Sequence, residues 1–196
     1  MPRETQFDID ETLEKAGDAF WQHGFEATSM SALLAAMGIQ KGSFYNTYGS
    51  KHEVYLRSLE RYAATRRQEL SAAMEGRSGL EAIRTHFEII HDECVGSSGD
   101  RGCMIINCAL ERAHDDAEAR AIVERSLARH EALLATWIRQ GQGAGEICVD
   151  LDADVAAKSL MSFVMGMRVY SRSGSGPEAV RTLADAALHY MTRASP

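Results

Sequence analysis

Residues Thr28–Lys51 read TSMSALLAAMGIQKGSFYNTYGSK and contain the signals of two short helices joined by a glycine turn. A hydroxyl at the start of this stretch, on Thr28 or Ser29, can cap a helix by accepting a hydrogen bond from a backbone N–H group that has no partner in the first turn. Gly38 permits the left-handed conformation that commonly ends a helix. The pattern therefore predicts a short helix that ends in a glycine turn. Its apolar side recurs at helical spacing and consists of Met30, Leu33, Leu34 and Met37.

A second short helix is predicted from about Lys41 to Tyr48. Phe44 and Tyr48 lie one turn apart and are expected to face inward, which leaves the other side chains on the outer surface. Two short helices across such a turn form a helix-turn-helix, whose second helix fits the major groove of DNA. The expected outer surface consists of Lys41, Gly42, Ser43, Tyr45, Asn46 and Thr47.

Residues from about 8 to 60 resemble the N-terminal domain of the TetR family of bacterial transcriptional regulators. The family pattern runs from a Gly-aromatic pair through an alanine-rich helix and a lysine-led recognition helix to a lysine at the head of helix four. Where the family often has His-Phe, this chain has Thr47-Tyr48. The rest of the chain matches the family in architecture only. The matching residues, in order and without gaps, are Gly24-Phe25, Thr28-Ser29, Ala35-Ala36, Gly38-Ile39, Lys41-Gly42-Ser43-Phe44-Tyr45, Tyr48 and Ser50-Lys51.

The resemblance implies a role in DNA binding for ten residues. Hydroxyl groups, helix N-termini and a lysine at a positive helix end are suited to phosphate oxygens. Lysine can bind guanine, asparagine can bind adenine, and a glycine allows close approach of the backbone. For Tyr48, packing in the core is an equally open interpretation. The implied phosphate contacts are Thr28, Ser29, Tyr45, Tyr48 and Lys51, and the residues implied to face bases are Lys41, Gly42, Ser43, Asn46 and Thr47.

Composition places the chain among ordinary globular proteins rich in helix formers. Its four cysteines and its polar, acidic start indicate reduced thiols and no secretory signal, so a cytoplasmic location is expected. No apolar stretch is long enough to span a bilayer, so no membrane partner is expected. The formal net charge of −7 opposes DNA binding, which depends on cations at phosphates. We expect Lys41, Lys51, His52, Arg57 and Arg61 to supply them locally.

Helical periodicity throughout the chain predicts an all-α fold of about nine helices. The glycine-rich break at 75–79 separates two parts. We expect a helix-turn-helix domain at 1–50, a connecting helix at 51–76, and a ligand-binding and dimerisation domain at 77–196. Helix six is predicted at 103–113 and helix seven from 115 or 116 to about 140. The family resemblance implies a homodimer formed by the helices near 152–172 and 177–193, bound to double-stranded operator DNA with a palindromic sequence.

The C-terminal part is expected to bind an unknown small-molecule effector. An apolar cavity is implied by the resemblance, although such side chains can equally form a plain core. Its proposed lining is Phe87, Ile90, Met104, Trp137, Phe163 and Met167. An alternative effector is an electrophile or oxidant acting at Cys103, because Cys103 lies beside Arg101 at a predicted helix start, where a thiolate is stabilised. His91 and Cys94 lie one turn apart, but the paired spacing of a structural zinc site is missing, so no metal or other cofactor is expected.

Two other classes of protein compete with the regulator. The sequence contains none of the nucleotide-binding, metalloprotease or serine-hydrolase motifs that would indicate an enzyme. A helical scaffold that binds only protein remains possible from the sequence alone. Site-specific, salt-sensitive binding to DNA distinguishes the regulator from the scaffold.

Overall fold

A computed structural model describes residues 7–97 and 99–192. Residues 1–6 of the expected first domain and residue 193 of the expected dimerisation segment lie outside these ranges. Every regular element within them is helical, which confirms the all-α prediction. The elements are α1 (Ile9–His23), α2 (Met30–Met37), α3 (Lys41–Tyr48), α4 (Lys51–Met74), α5 (Gly79–Val95), a 3₁₀ turn (Gly99–Arg101), α6 (Met104–Glu111), α7 (Ala117–Gly143), α8 (Ala153–Arg172) and α9 (Gly176–Thr192).

Side-chain caps and glycines determine where the first helices begin and end. The Asp8 carboxylate accepts hydrogen bonds from the backbone N–H groups of the first turn of α1. Of the two candidate caps for α2, Ser29 is the one used, with its hydroxyl 3.1 Å from the backbone nitrogen of Ala32. Gly38 is left-handed, with φ 69° and ψ 27°, and its N–H bonds back to the carbonyl of Leu34. The turn between α2 and α3 is the one that the sequence predicts.

The described chain divides into two compact units. The first contains residues up to 66 together with 103–124, and the second contains 67–102 together with the part that follows 124. Helices α4 and α7 each contribute to both units. This partition differs from the sequence-based boundaries at 50 and 76, because α6 and the start of α7 belong to the unit that holds the helix-turn-helix.

In the second unit, α5, α8 and α9 pack against one another around a core that includes side chains from α7. Gly79 at the start of α5 lies so close to α7 that an added Cβ would stand 2.2 Å from the carbonyl oxygen of Trp137. Gly141, whose backbone nitrogen would stand 2.3 Å from that same Cβ, is itself covered by the side chain of Ile147. Gly141 is therefore a packing glycine, and α7 continues past the predicted end near 140 to Gly143.

The end of α6 and the start of α7 also differ from prediction. Helix α6 ends at Glu111 rather than 113, because Arg112 leaves helical geometry with φ −124° and ψ −30°. Helix α7 begins at Ala117. The Asp116 carboxylate, just before it, accepts a hydrogen bond from the backbone N–H of Ala119. None of the helices in the described ranges combines the length and the apolar character needed to cross a bilayer.

Replacement of Gly79 by alanine should destabilise the second unit. The new methyl group would meet backbone atoms of α7, which cannot move without shifting the helix, so we expect a loss of about 3 kcal/mol in the free energy of unfolding. Gly143→Ala is the matched control, because nothing lies within 4 Å of its added Cβ. Urea denaturation of both variants makes the comparison. Equal stability of the two variants would contradict the close packing of α5 on α7.

Candidate nucleic-acid interface

Helix α3 has one buried face and one exposed face. Phe44 and Tyr48 are 0% and 1% exposed and anchor the helix to the rest of the first unit. Tyr45, by contrast, is 44% exposed. The other residues of the helix form its solvent-facing surface: Lys41, Gly42, Ser43, Tyr45 and Asn46 are exposed, and Thr47 is half-buried.

Two of the residues expected at phosphates are buried, which corrects the sequence-based assignment. The hydroxyl of Tyr48 donates to the carbonyl of Ile9 at 3.0 Å and shares a hydrogen bond with the Thr12 hydroxyl. Thr28 is 1% exposed, and its hydroxyl donates to the carbonyl of Gly24 at 2.6 Å. Both hydroxyls are used inside the first unit, so neither can reach a phosphate from this conformation. For Tyr48, core packing is the interpretation that the structure supports.

Lys51 lies at the head of α4 beside the loop that follows α1. Its ammonium group lies 4.2 Å from the centre of the Phe25 ring, a distance at which a cation is attracted to the ring face. Burial has the largest effect on the pKa of Lys51 and lowers it, although the carboxylates of Glu26 and Glu111 partly oppose that shift. Lys51 is thus held in a defined position rather than extended freely into solvent.

The end of α6 holds the loop between α1 and α2. The Glu111 carboxylate accepts hydrogen bonds from the backbone N–H groups of Phe25, at 3.2 Å, and Glu26, at 3.0 Å. Arg112 donates to the Glu26 carboxylate at 2.7 Å, and its guanidinium lies 4.7 Å from the centre of the Phe25 ring. We call Glu111 and Arg112 the α6 clamp. It attaches the loop before α2 to α6 by hydrogen bonds and by stacking.

Asp116 ties the start of α7 to the start of α4. Its carboxylate lies 2.8 Å from Nε2 of His52 and 3.3 Å from the Arg112 guanidinium. Burial pushes the pKa of Asp116 upward, but the hydrogen bonds from Ala119, His52 and Arg112 outweigh it and leave the pKa below its ordinary value. Asp116 is therefore a carboxylate at neutral pH and fixes His52 beside α7.

Several acidic side chains of α1 have cationic partners. Arg61 donates to Glu14 at 3.0 Å and lies 3.5 Å from Asp10, and Lys15 pairs with Glu11 at 2.7 Å. Arg61 was expected among the cations near DNA, but it bonds to α1 instead. These exposed pairs stabilise the fold little. Their effect here is to neutralise part of the negative charge of the unit that carries α3.

The expected effector residues are divided between the two units. Phe87, Ile90, Trp137 and Met167 belong to the core of the second unit, and Phe163 packs against that core. Met104 is buried and Cys103 is half-buried, and both belong to the first unit. Cys103 is the N-cap residue of α6, as the sequence predicts.

One described group of side chains has metal-ligand character. Glu88, His91 and Asp92 offer ligand atoms that lie within 4.8 Å of one another on α5. However, Arg181 of α9 donates to both oxygens of Glu88 and lies 2.9 Å from Nδ1 of His91. A guanidinium cation therefore already occupies the position that a metal cation would need.

Comparison with known families identifies both parts of the chain. Residues 79–187 match the model of the tetracyclin repressor-like C-terminal domain, and residues 13–57 match that of the bacterial regulatory proteins of the tetR family. The chain belongs to the TetR family. Its members are DNA-binding regulators of transcription, and the helix-turn-helix of α2 and α3 lies within the N-terminal match.

Similar proteins cover nearly the whole of this TetR-family chain. The HTH-type transcriptional repressor ComR of Escherichia coli is 28% identical over 184 residues, which is 93% of this chain and 88% of ComR. A TetR regulator from Chloroflexus aurantiacus has the same fold with a TM-score of 0.85, at 21% identity over 94% of this chain and 93% of its own. A cysteine mutant of the TetR-family regulator CifR, solved with a 26-base-pair operator DNA, has a TM-score of 0.85, at 23% identity over 97% and 99% of the two chains.

The paired tyrosines of α3 allow the buried and exposed roles to be separated. Tyr48→Phe removes a buried hydroxyl that has two partners, so we expect a loss of about 1 kcal/mol in the free energy of unfolding and unchanged DNA affinity of the folded protein. Tyr45→Phe removes an exposed hydroxyl, so we expect unchanged stability and several-fold weaker DNA binding if that hydroxyl contacts phosphate. Denaturation and fluorescence anisotropy measure the two effects. If Tyr48→Phe instead weakened DNA binding and Tyr45→Phe lowered stability, Tyr48 would belong to the DNA interface.

The α6 clamp should matter to DNA binding although it lies far along the chain from α3. Glu111→Ala leaves the N–H groups of Phe25 and Glu26 without their acceptor, so we expect a loss of about 1–2 kcal/mol in stability and several-fold weaker DNA binding. Glu111→Gln keeps one acceptor oxygen and should recover part of both. Glu124→Ala, an exposed change of the same charge on α7, is the control. If Glu111→Ala and Glu124→Ala behave alike, the clamp has no such role.

Proposed function

We propose that this TetR-family chain is a repressor that binds a palindromic operator as a homodimer and is released when a small apolar molecule binds its C-terminal part. It would act in the cytoplasm, on double-stranded DNA. The observation that carries the proposal is the exposed polar face of α3, mounted on the buried Phe44 and Tyr48. A single helix of this size presented on a helical platform fits the width of the major groove.

The exposed residues of α3 have the chemistry to bind base edges. Lys41 can donate to the acceptors of guanine, and Asn46 can pair with both hydrogen-bonding groups of adenine. An added Cβ at Gly42 would meet nothing within 4 Å, so the surface there is open to close approach by DNA. Ser43 and Thr47 complete the proposed base-facing set. Ser29, Tyr45 and Lys51 are the proposed phosphate contacts, together with backbone N–H groups at the start of α2.

Dimerisation is proposed through α8 and α9. Several large apolar side chains of α8 remain exposed, including Val155 at 58%, Val169 at 50% and Tyr170 at 45%. A two-fold symmetric dimer would present two copies of α3 to the two halves of a palindrome. Similar proteins support an operator-binding repressor, because ComR is named a repressor and CifR was solved with operator DNA.

Two routes of release are proposed. In the first, an apolar ligand binds among the helices of the second unit, near Phe87, Ile90, Trp137, Phe163 and Met167, and stabilises a conformation with lower operator affinity. In the second, an electrophile or oxidant modifies Cys103. Burial raises the pKa of the Cys94 and Cys108 thiols and makes them poor nucleophiles, whereas Cys103 is half-buried at the N-cap of α6. Loss of DNA binding on alkylation, resisted by Cys103→Ser, would favour this second route.

Operator selection from random DNA, followed by salt titration, tests the proposed function. We expect a palindromic site, and an affinity that falls steeply with salt because lysines displace counterions at phosphates. Failure to enrich any site would contradict a sequence-specific regulator.

Lys41→Ala should reduce discrimination at one position of each half-site. If Lys41 binds a base, we expect a loss of about 1–3 kcal/mol on the preferred site and little loss on sequences that differ at that position. Arg129→Ala, an exposed change of the same charge on α7, is the matched control. Anisotropy titrations against a panel of single-base operator variants measure both. A uniform loss on all sequences would make Lys41 a phosphate contact instead.

A further inference from the structure

Two histidines face each other inside the second unit. Nε2 of His86 on α5 lies 2.9 Å from Nε2 of His130 on α7. His86 is 3% exposed, and its ring packs near Phe87 and Trp137, with ring centres 5.8 Å away in each case. We call His86 and His130 the imidazole pair. It is a buried polar contact beside aromatic side chains.

Both members of the pair are uncharged at neutral pH. Burial has the largest effect and lowers the pKa of His86 well below its ordinary value, assisted by His130 and by Arg168 of α8. Burial and Arg168 together lower the pKa of His130 to about 4. Arg168 is itself ion-paired with Glu93 of α5. A neutral imidazole has one N–H donor and one acceptor nitrogen, so one Nε2 donates and the other accepts.

The second ring nitrogen of His86, Nδ1, makes no hydrogen bond in the described structure. Within the part of the chain that the structure describes, Nδ1 of His86 is buried and has no hydrogen-bond partner. A buried polar atom without a partner is unfavourable, and such atoms are rare in folded proteins. Nδ1 is therefore a position where an incoming hydrogen-bonding group would be stabilised.

A carboxylate suits this position better than a neutral group or a metal ion. If a carboxylate enters together with one proton, His86 becomes an imidazolium whose Nε2–H donates to His130 and whose Nδ1–H donates to the carboxylate. No net charge is then buried, because the anion and the proton enter together. A metal ion would find only two facing nitrogens among the described ligand groups, beside the positive charge of Arg168.

We propose that the imidazole pair is the polar end of the effector site, and that the effector is an apolar monocarboxylic acid whose carboxylate binds Nδ1 of His86. This inference rests on the proposed release by a small ligand in the C-terminal part. The acid's apolar body would pack against the rings of Phe87 and Trp137. The imidazole pair thereby binds the carboxylate end of the ligand, while apolar contacts bind its other end.

Burial of the imidazole pair also links ligand binding to release of the protein from its operator. Nδ1 of His86 has no accessible surface, and Phe87 and Trp137 are 0% and 5% exposed. The acid can therefore reach Nδ1 only in a conformation in which α5 and α7 have moved apart. A ligand that binds one conformation and not the other shifts the population toward the one it binds.

Proton uptake gives the site a distinctive signature. The free histidines are neutral above their lowered pKa values, and the bound carboxylate raises the pKa of His86. At a pH between the pKa of His86 in the free protein and its pKa in the complex, one proton is taken up on binding. The observed affinity should therefore fall by up to about tenfold for each unit of rising pH. A neutral amide of the same shape should show no such dependence.

Two substitutions at His86 separate ligand binding from structure. The terminal amide of asparagine lies as many bonds from Cα as Nδ1, and that of glutamine as many as Nε2. His86→Asn therefore keeps a group for the ligand but loses the bond to His130, and His86→Gln does the opposite. The full-length protein and both variants would be titrated by calorimetry with octanoate, benzoate and phenylacetate, and with the corresponding amides.

We expect at least one acid to bind, with uptake of about one proton at pH 7, and its amide to bind at least about tenfold more weakly. His86→Gln should lose at least about tenfold in affinity, and His86→Asn should lose less. The proposal is overturned if no acid binds, if acid and amide bind alike, or if His86→Gln binds as the parent does. The calorimetric titration is done without DNA, so it tests the ligand site alone. If an acid binds but does not release the protein from a selected operator, the proposed function is contradicted while the ligand site remains supported.

Discussion

Burial of Phe44 and Tyr48 on one side of α3 is the constraint on which the DNA-binding surface depends. A helix of eight residues is not stable alone in water, so α3 exists because its inner face is packed and hydrogen-bonded. The Tyr48 hydroxyl reaches back to α1, where it bonds to Ile9 and Thr12. Since side chains on a helix hold fixed angular relations, burial of these two rings dictates that Gly42 and Asn46 face outward. Lys41 is exposed at the first position of the helix.

The surroundings of α3 depend on residues far along the chain. The α6 clamp bonds to the loop before α2 across 86 residues of sequence, and Asp116 holds His52 at the start of α4. The unit that carries the DNA-binding helix thus includes α6 and the start of α7. In a regulator of the TetR family, this arrangement places part of the sequence matched to the C-terminal domain in direct contact with the loop before α2 and with the start of α4.

Local signals in the sequence were sufficient for the helices and for the exposed face of α3. Capping side chains and glycine turns act within a few residues, so Gly38 and a cap at Thr28 or Ser29 could be predicted from the sequence. The assignments that the structure corrects depend on distant partners. The Tyr48 hydroxyl bonds to Thr12, which lies 36 residues earlier, and no local pattern distinguishes a buried tyrosine from one that faces phosphate. The role of Glu111 and Arg112 could not be predicted for the same reason, because in the sequence they resemble ordinary surface charges at the end of a helix. Helix α7 continues past its predicted end near 140, because the missing side chain of Gly141 serves packing against Ile147 and does not end the helix.

Chemical-shift mapping of the isotope-labelled protein, titrated with its selected operator, tests whether α3 is the surface that binds DNA. The account predicts that the largest perturbations fall on the backbone amides of 41–43 and 45–47 and on the side-chain amide of Asn46. It also predicts that the ring signals of Phe44 and Tyr48 shift little. Perturbations that centre on α8 and α9 while those of α3 remain unchanged would contradict it.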